Sequence, residues 1–128
     1  MKKILLGLVI TIGLLIITGC GENNKSIVIS DVDKDTRWEA ITSYDITLEF
    51  ENNKCVSENY RLEFLKETNA IVYGIQMEGQ TYIDDYKQEG NVVTYKHTGI
   101  NSSFYGNTFD EAYNNAKMLY PNATITKK

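Results

Sequence analysis

Ile46, Leu48 and Phe50 alternate with Thr47, Glu49 and Glu51, and two asparagines follow at once. A period of two turns one set of side chains to a core and the other to water, so this segment predicts a half-buried strand. Asn52-Asn53 suits a tight turn, because asparagine tolerates the left-handed backbone that hairpin turns require. The chain then returns from about Cys55 to Phe64 with Tyr60, Leu62 and Phe64 on one face. Two strands joined this way form a hairpin, and a hairpin with one apolar face needs something packed against it.

The remaining segments supply that partner. Thr108-Phe109-Asp110-Glu111 has the pattern of a capping box, in which the Thr108 hydroxyl accepts from the Glu111 amide and the carboxylate reaches back. Phe109, Ala112, Tyr113, Ala116 and Tyr120 then form one apolar stripe, and Pro121 forbids continuation of the helix. Lys66 to Glu78 also favours an amphipathic helix, with Ala70, Tyr73 and Met77 at helical spacing and Gly79 as its stop. The β-branched residues around Gly74 argue the other way. Thr81 to Lys87 and Val92 to Thr98 flank Gln88-Glu89-Gly90-Asn91, a second hairpin, with Val93, Tyr95 and His97 on one face. Ile27-Val28-Ile29 is read as a short strand or an apolar arm, and Ala123 to Thr126 as an edge strand. The expected fold is α+β: a small antiparallel sheet of four or five strands, built from two hairpins, with one or two helices packed on one face.

The N-terminal segment has a different character. Met1-Lys2-Lys3 is positive, Ile4 to Ile17 is apolar apart from Gly7, Thr11 and Gly13, and Gly21 to Lys25 ends the run. This is the layout of a secretory signal, and it is short of the ~20 apolar residues that span a bilayer. Ile17-Thr18-Gly19-Cys20 at its end resembles the lipobox of bacterial lipoprotein precursors. The resemblance implies that the Cys20 thiol carries a diacylglyceryl group, that the leader is removed before it, and that the product is lipid-anchored on the extracytoplasmic face of the cell membrane. Two acyl chains anchor stably where one holds only marginally, at about 0.8 kcal/mol per buried CH₂. The domain plan that follows is a signal peptide at 1–19, a lipid-anchored tether at 20–36 and one small α+β domain at 37–128.

Removing residues 1–19 from the 128 leaves 109, enough for one small core. Two of the thirteen basic residues and none of the seventeen acidic ones lie in the leader, so the remainder carries eleven against seventeen, a net charge of −6. An acidic domain repels nucleic acid phosphates and anionic lipid head groups, so neither is an expected partner. With Cys20 used by the lipid, Cys55 is the one thiol left, and no internal disulfide can form.

Chemistry-bearing residues are few. Asp31-Val32-Asp33-Lys34-Asp35 spaces carboxylates as a calcium loop does, yet Thr36 stands where the turn needs glycine and Thr42 where a bidentate glutamate belongs. It reads as a solvated acidic loop, and no metal or cofactor is expected. Cys55 and His97 are the only thiol–imidazole pair, and nothing around Cys55 resembles a nucleophile turn. No catalytic residue is therefore assigned. Nine tyrosines are many for this length. Tyrosine joins an apolar ring to a polar tip, which suits core packing and also binding surfaces. Trp38, Tyr82, Tyr86, Tyr95 and Tyr105 are the candidate binding residues. The expected function is a non-catalytic binding or accessory domain of the cell envelope, its partner a cell-wall ligand or an envelope protein. The alternative is a structural or inhibitory partner of a membrane or exported protein.

Overall fold

The computed structural model describes residues 25–32 and 40–128. Six strands form one antiparallel sheet: β1 (Lys25–Ser30), β2 (Ile41–Glu51), β3 (Lys54–Phe64), β4 (Ile83–Glu89), β5 (Val92–His97) and β6 (Thr124–Lys127), in the order β4-β5-β3-β2-β1-β6. Helix α1 (Glu67–Met77) lies between β3 and β4 in the chain, and α2 (Phe109–Leu119) between β5 and β6. The fold is α+β, as the patterning predicts.

Both hairpins form. Asn52 (φ 51°) and Asn53 (φ 58°) are both left-handed, which matches the right-handed twist of β2 and β3. A bulge follows at once: Glu49 faces Ser57 while Phe50 faces Cys55, so Val56 is the extra residue. In the second hairpin Gly90 takes φ 60° at the turn between β4 and β5.

Residues 25–30, expected within the tether, are an interior strand instead. β1 pairs with β2 on one side and β6 on the other, and Ile27 and Ile29 are fully buried. The domain therefore includes Lys25, and the sheet has six strands where four or five were expected. Three consecutive apolar residues do not separate an arm from a strand. The buried pair Ile27 and Ile29, two residues apart, settles the matter, each such side chain contributing roughly 1.5–3 kcal/mol.

Register places Tyr44, Ile46, Leu48 and Phe50 of β2 on the same face as Tyr60 and Leu62 of β3 and Val93 and Tyr95 of β5. Both helices cover this face. Ala112 and Ala116 of α2 pack with Ile27, Ile29, Ile46, Leu48, Phe50 and Cys55, while Ala70 and Tyr73 of α1 pack with Ile41, Leu62, Phe64, Val93 and Tyr95. Tyr44 and Tyr60 belong to the rim of both clusters and join them.

The helix ends follow the sequence. Thr108 Oγ1 accepts from the Glu111 amide at 3.2 Å, and the same hydroxyl donates to the Glu111 carboxylate at 3.1 Å. Helix α1 ends before Gly79, whose φ of 80° terminates it. Gly74, the residue that argued against a helix, is explained by its neighbour. A Cβ there would meet the Tyr86 hydroxyl at 2.8 Å, so any larger residue would force the Tyr86 side chain to shift.

Candidate functional site

A cleft of about 300 Å³ opens on the helix-covered face, where the two core clusters meet. Ile41 and Tyr44 of β2, Tyr60 and Leu62 of β3, and Tyr95 and His97 of β5 come from the sheet. Tyr73 and Met77 of α1, with Tyr82 from the segment before β4, complete the lining. Five of the nine tyrosines thus line one space.

Strand pairing builds this arrangement. Tyr60 and Tyr95 are direct cross-strand partners, and their rings stack at 4.8 Å with only 5° between planes. Tyr44 meets Tyr60 edge-on at 6.2 Å. From the helix, the Tyr73 hydroxyl reaches to 3.5 Å from that of Tyr95. On the other side Tyr82 stacks on His97 at 5.5 Å and donates its hydroxyl to Met77 Sδ at 3.5 Å.

His97 is fixed by its surroundings. Its Nδ1 accepts from the Gly99 amide at 3.1 Å, which leaves the ring proton of the neutral form on Nε2. The Tyr105 hydroxyl donates to the His97 carbonyl at 2.6 Å.

Behind Tyr60 lies Glu58, only 2% exposed. One carboxylate oxygen accepts from the Tyr60 hydroxyl, and the other accepts from Ser102 Oγ at 2.6 Å. Ser102 Oγ in turn accepts from the amides of Phe104 and Tyr105, so Glu58 also anchors the loop after β5. Among the described residues Glu58 has no ion-pair partner; Arg61 and Glu63 form the pair seen nearby on β3. Among the described residues no lysine or arginine lines the cleft.

Burial pushes the phenols of Tyr44, Tyr60, Tyr73 and Tyr95 above the ordinary range, and the charge of Glu58 adds to this at Tyr60 and Tyr44. They remain neutral hydroxyls at physiological pH. Such a site supplies aromatic surface and hydrogen bonds, not a phenolate base. Cys55 lies in the α2 cluster, donates to the Ser57 carbonyl at 3.7 Å, and burial pushes its thiol up to about 11. The Cys55 hydrogen bond thus goes to backbone, and the hydrogen bond to the His97 ring comes from backbone.

The candidate residues have different fates. Tyr82 and Tyr95 line the cleft, Tyr95 as a buried residue. Tyr86 stacks on Tyr95 at 6.5 Å but lines a separate groove with Gly74, Ile75 and Ile83. Tyr105 stands 6.4 Å from His97, at the margin. Trp38 and Cys20 lie outside the described residues, as do Asp33 and Asp35 of the acidic loop. Sequence reasoning missed Tyr44, Tyr60 and Tyr73 as site residues, although the alternation already placed Tyr60 with Leu62 and Phe64. Glu58 carried a signal too, since it falls in the apolar phase of that strand. Comparison with protein-family models, with curated proteins and with solved structures returns no match.

Proposed function

We propose that this chain is a lipid-anchored protein of the bacterial cell envelope whose domain binds a ligand in the tyrosine-lined cleft and does no catalysis. The observation that carries the binding reading is the convergence of five tyrosines and His97 on one space of about 300 Å³. Binding sites of this size are mostly apolar with a few placed polar groups, which is the composition here. The absence of catalysis is inferred from a thiol held protonated by burial and from phenols held neutral.

Anchoring rests on the lipobox resemblance at Cys20. Five residue steps separate Cys20 from Lys25, where the sheet begins, a span of at most about 18 Å. The domain would then stand close to the bilayer surface. No helix among the described residues is long and apolar enough to cross a membrane. Replacing Cys20 by alanine is expected to abolish labelled palmitate incorporation and to move the protein out of the membrane fraction; unchanged fractionation would reject the anchor.

Protein-observed NMR with a fragment library tests the cleft. Bound fragments are expected to shift the ring signals of Tyr60, Tyr73, Tyr82, Tyr95 and His97, and Tyr82→Ala should weaken them. Fragments that bind elsewhere, or none at all, would reject the cleft as the site.

The second reading, an accessory protein docked on a membrane or exported partner, is favoured by the outer side of α1. Ile75 there is 66% exposed and Ile71 and Val72 also face water, with Leu65 just before the helix. Substitutions that place a charge at Ile71 and Ile75 should then disrupt a stoichiometric crosslinked complex without unfolding the domain.

A further inference from the structure

Resting on the cleft reading above, we infer that the cleft selects an organic cation, an alkylated ammonium group, over a neutral group of the same shape. Three observations converge on this. The cleft is walled by aromatic rings, with Tyr44, Tyr60, Tyr73, Tyr82 and Tyr95 around it. Ring faces carry a negative quadrupole, and an alkylated ammonium gives up little hydration to reach them. Among the described residues no lysine or arginine side chain lines the space to compete for those faces or repel a positive guest.

The second observation is Glu58. A buried carboxylate normally sits against a cation, because removing the charge from water is costly. Glu58 is 2% exposed and, among the described residues, is held only by hydroxyls, those of Tyr60 and Ser102. Because the Tyr60 hydroxyl donates to the carboxylate, electron density is pushed into the Tyr60 ring, and that ring lines the cleft and stacks on Tyr95. Glu58 is thus a positioning residue that acts through Tyr60, and a cation in the cleft would supply the positive charge it lacks. Third, the chain beyond residue 19 is acidic, at eleven basic against seventeen acidic residues, so its long-range field draws cations in.

The experiment compares choline with 3,3-dimethyl-1-butanol, in which carbon replaces the ammonium nitrogen, by isothermal titration and by shifts of the cleft ring signals. Choline is expected to bind at least roughly tenfold tighter than the neutral isostere, from the strength of a desolvated cation–π contact. Glu58→Gln removes the charge and keeps one amide oxygen to accept from a hydroxyl, while its amide nitrogen can donate to the Tyr60 oxygen, so choline should lose more affinity than the isostere and the ratio should narrow. A loss of fold would lower both affinities together and leave the ratio alone. If Glu58→Gln does not fold, Tyr82→Leu takes its place: it removes one aromatic wall, and choline should lose more than the isostere. Equal binding of the two probes to the wild-type protein would overturn the cation inference and leave the cleft standing. So would neutral fragments that bind the cleft where choline does not. Cleft signals unmoved by probes of either charge would bring down both readings. A ratio unchanged in a Glu58→Gln variant that folds like the wild type would overturn the part assigned to that carboxylate.

Discussion

The Tyr86 hydroxyl lies 2.8 Å from the point where a Cβ on Gly74 would stand, so strand β4 and helix α1 touch through a contact that a larger residue at 74 would push apart. The same hydroxyl is buried and without a hydrogen-bond partner among the described residues. Helix propensity and packing therefore oppose each other at residue 74. Alanine would gain about 1 kcal/mol of propensity, while overpacking of this kind costs roughly 1–3 kcal/mol. Gly74→Ala is expected to lower stability in urea denaturation, and Gly74→Ala with Tyr86→Phe to recover it. Tyr86→Phe alone should be neutral or stabilising, since it removes an unpaired buried donor. Additive effects of the two changes would show that the contact does not exist.

The N-cap of α2 offers a second measurement. Thr108 Oγ1 satisfies the Glu111 amide, one of the orphan donors at the helix start. Thr108→Ala should cost about 1 kcal/mol in denaturant unfolding, and Thr108→Ser or Thr108→Asp much less. A loss for Thr108→Asp equal to that for alanine would mean that the side-chain oxygen does not cap.

Glu58 joins strand β3 to the loop after β5 through Tyr60 and Ser102. Glu58→Ala would leave two donors without their acceptor, and a loss on the order of 2 kcal/mol is expected. Ser102→Ala should loosen the loop selectively, because Ser102 Oγ also holds the amides of Phe104 and Tyr105. Faster amide exchange at Phe104 and Tyr105 in Ser102→Ala, with β1 and β2 unaffected, is the expected pattern.

Alkaline pH should destabilise the domain in a defined order. Burial raises Cys55 from an ordinary 9.0 to about 11, so the folded thiol stays protonated where the unfolded one ionises. Its contribution is fully present below pH 9 and is lost as pH rises towards 11. The buried phenols of Tyr44, Tyr60, Tyr73 and Tyr95 are likewise raised above 10.0, which steepens the loss from pH 10 upward. Unfolding free energy measured from pH 7 to 11 should therefore fall first near pH 9. Cys55→Ala should remove that first part alone. A thiol reagent at pH 8 should modify Cys55 slowly until denaturant is added.

What the sequence disclosed, and what it withheld, follows the range of the interactions. Asn52-Asn53 and the Thr108–Glu111 box are local, and both act as their residue types dictate. Helix α1 was ambiguous because Gly74 serves Tyr86, twelve residues away and on another element. β1 was ambiguous because it is short and one of its two partners, β6, lies at the other end of the described chain. The cleft could not be read in advance, since its rings come from β2, β3, α1, the segment before β4 and β5, and meet only through strand register and helix packing. Choosing Tyr82, Tyr86, Tyr95 and Tyr105 by their neighbourhood in sequence therefore found two residues of the cleft and two beside it. Glu58 was legible in principle, as an acid in the apolar phase of β3, but its meaning depends on Tyr60 and Ser102.

β1 is the first described strand and β6 the last, and they are hydrogen-bonded neighbours, with Ser26 and Lys128 exchanging backbone bonds at 3.1 and 2.8 Å. Until residues 124–127 have emerged, Ile27 and Ile29 sit on a strand with one bare margin. A nascent chain must hold that margin open through nearly a hundred residues of growth, a delay that non-local pairing imposes on any route to the native state. Closure is thus a late event, and whatever shortens the tail of this chain exposes its oldest strand.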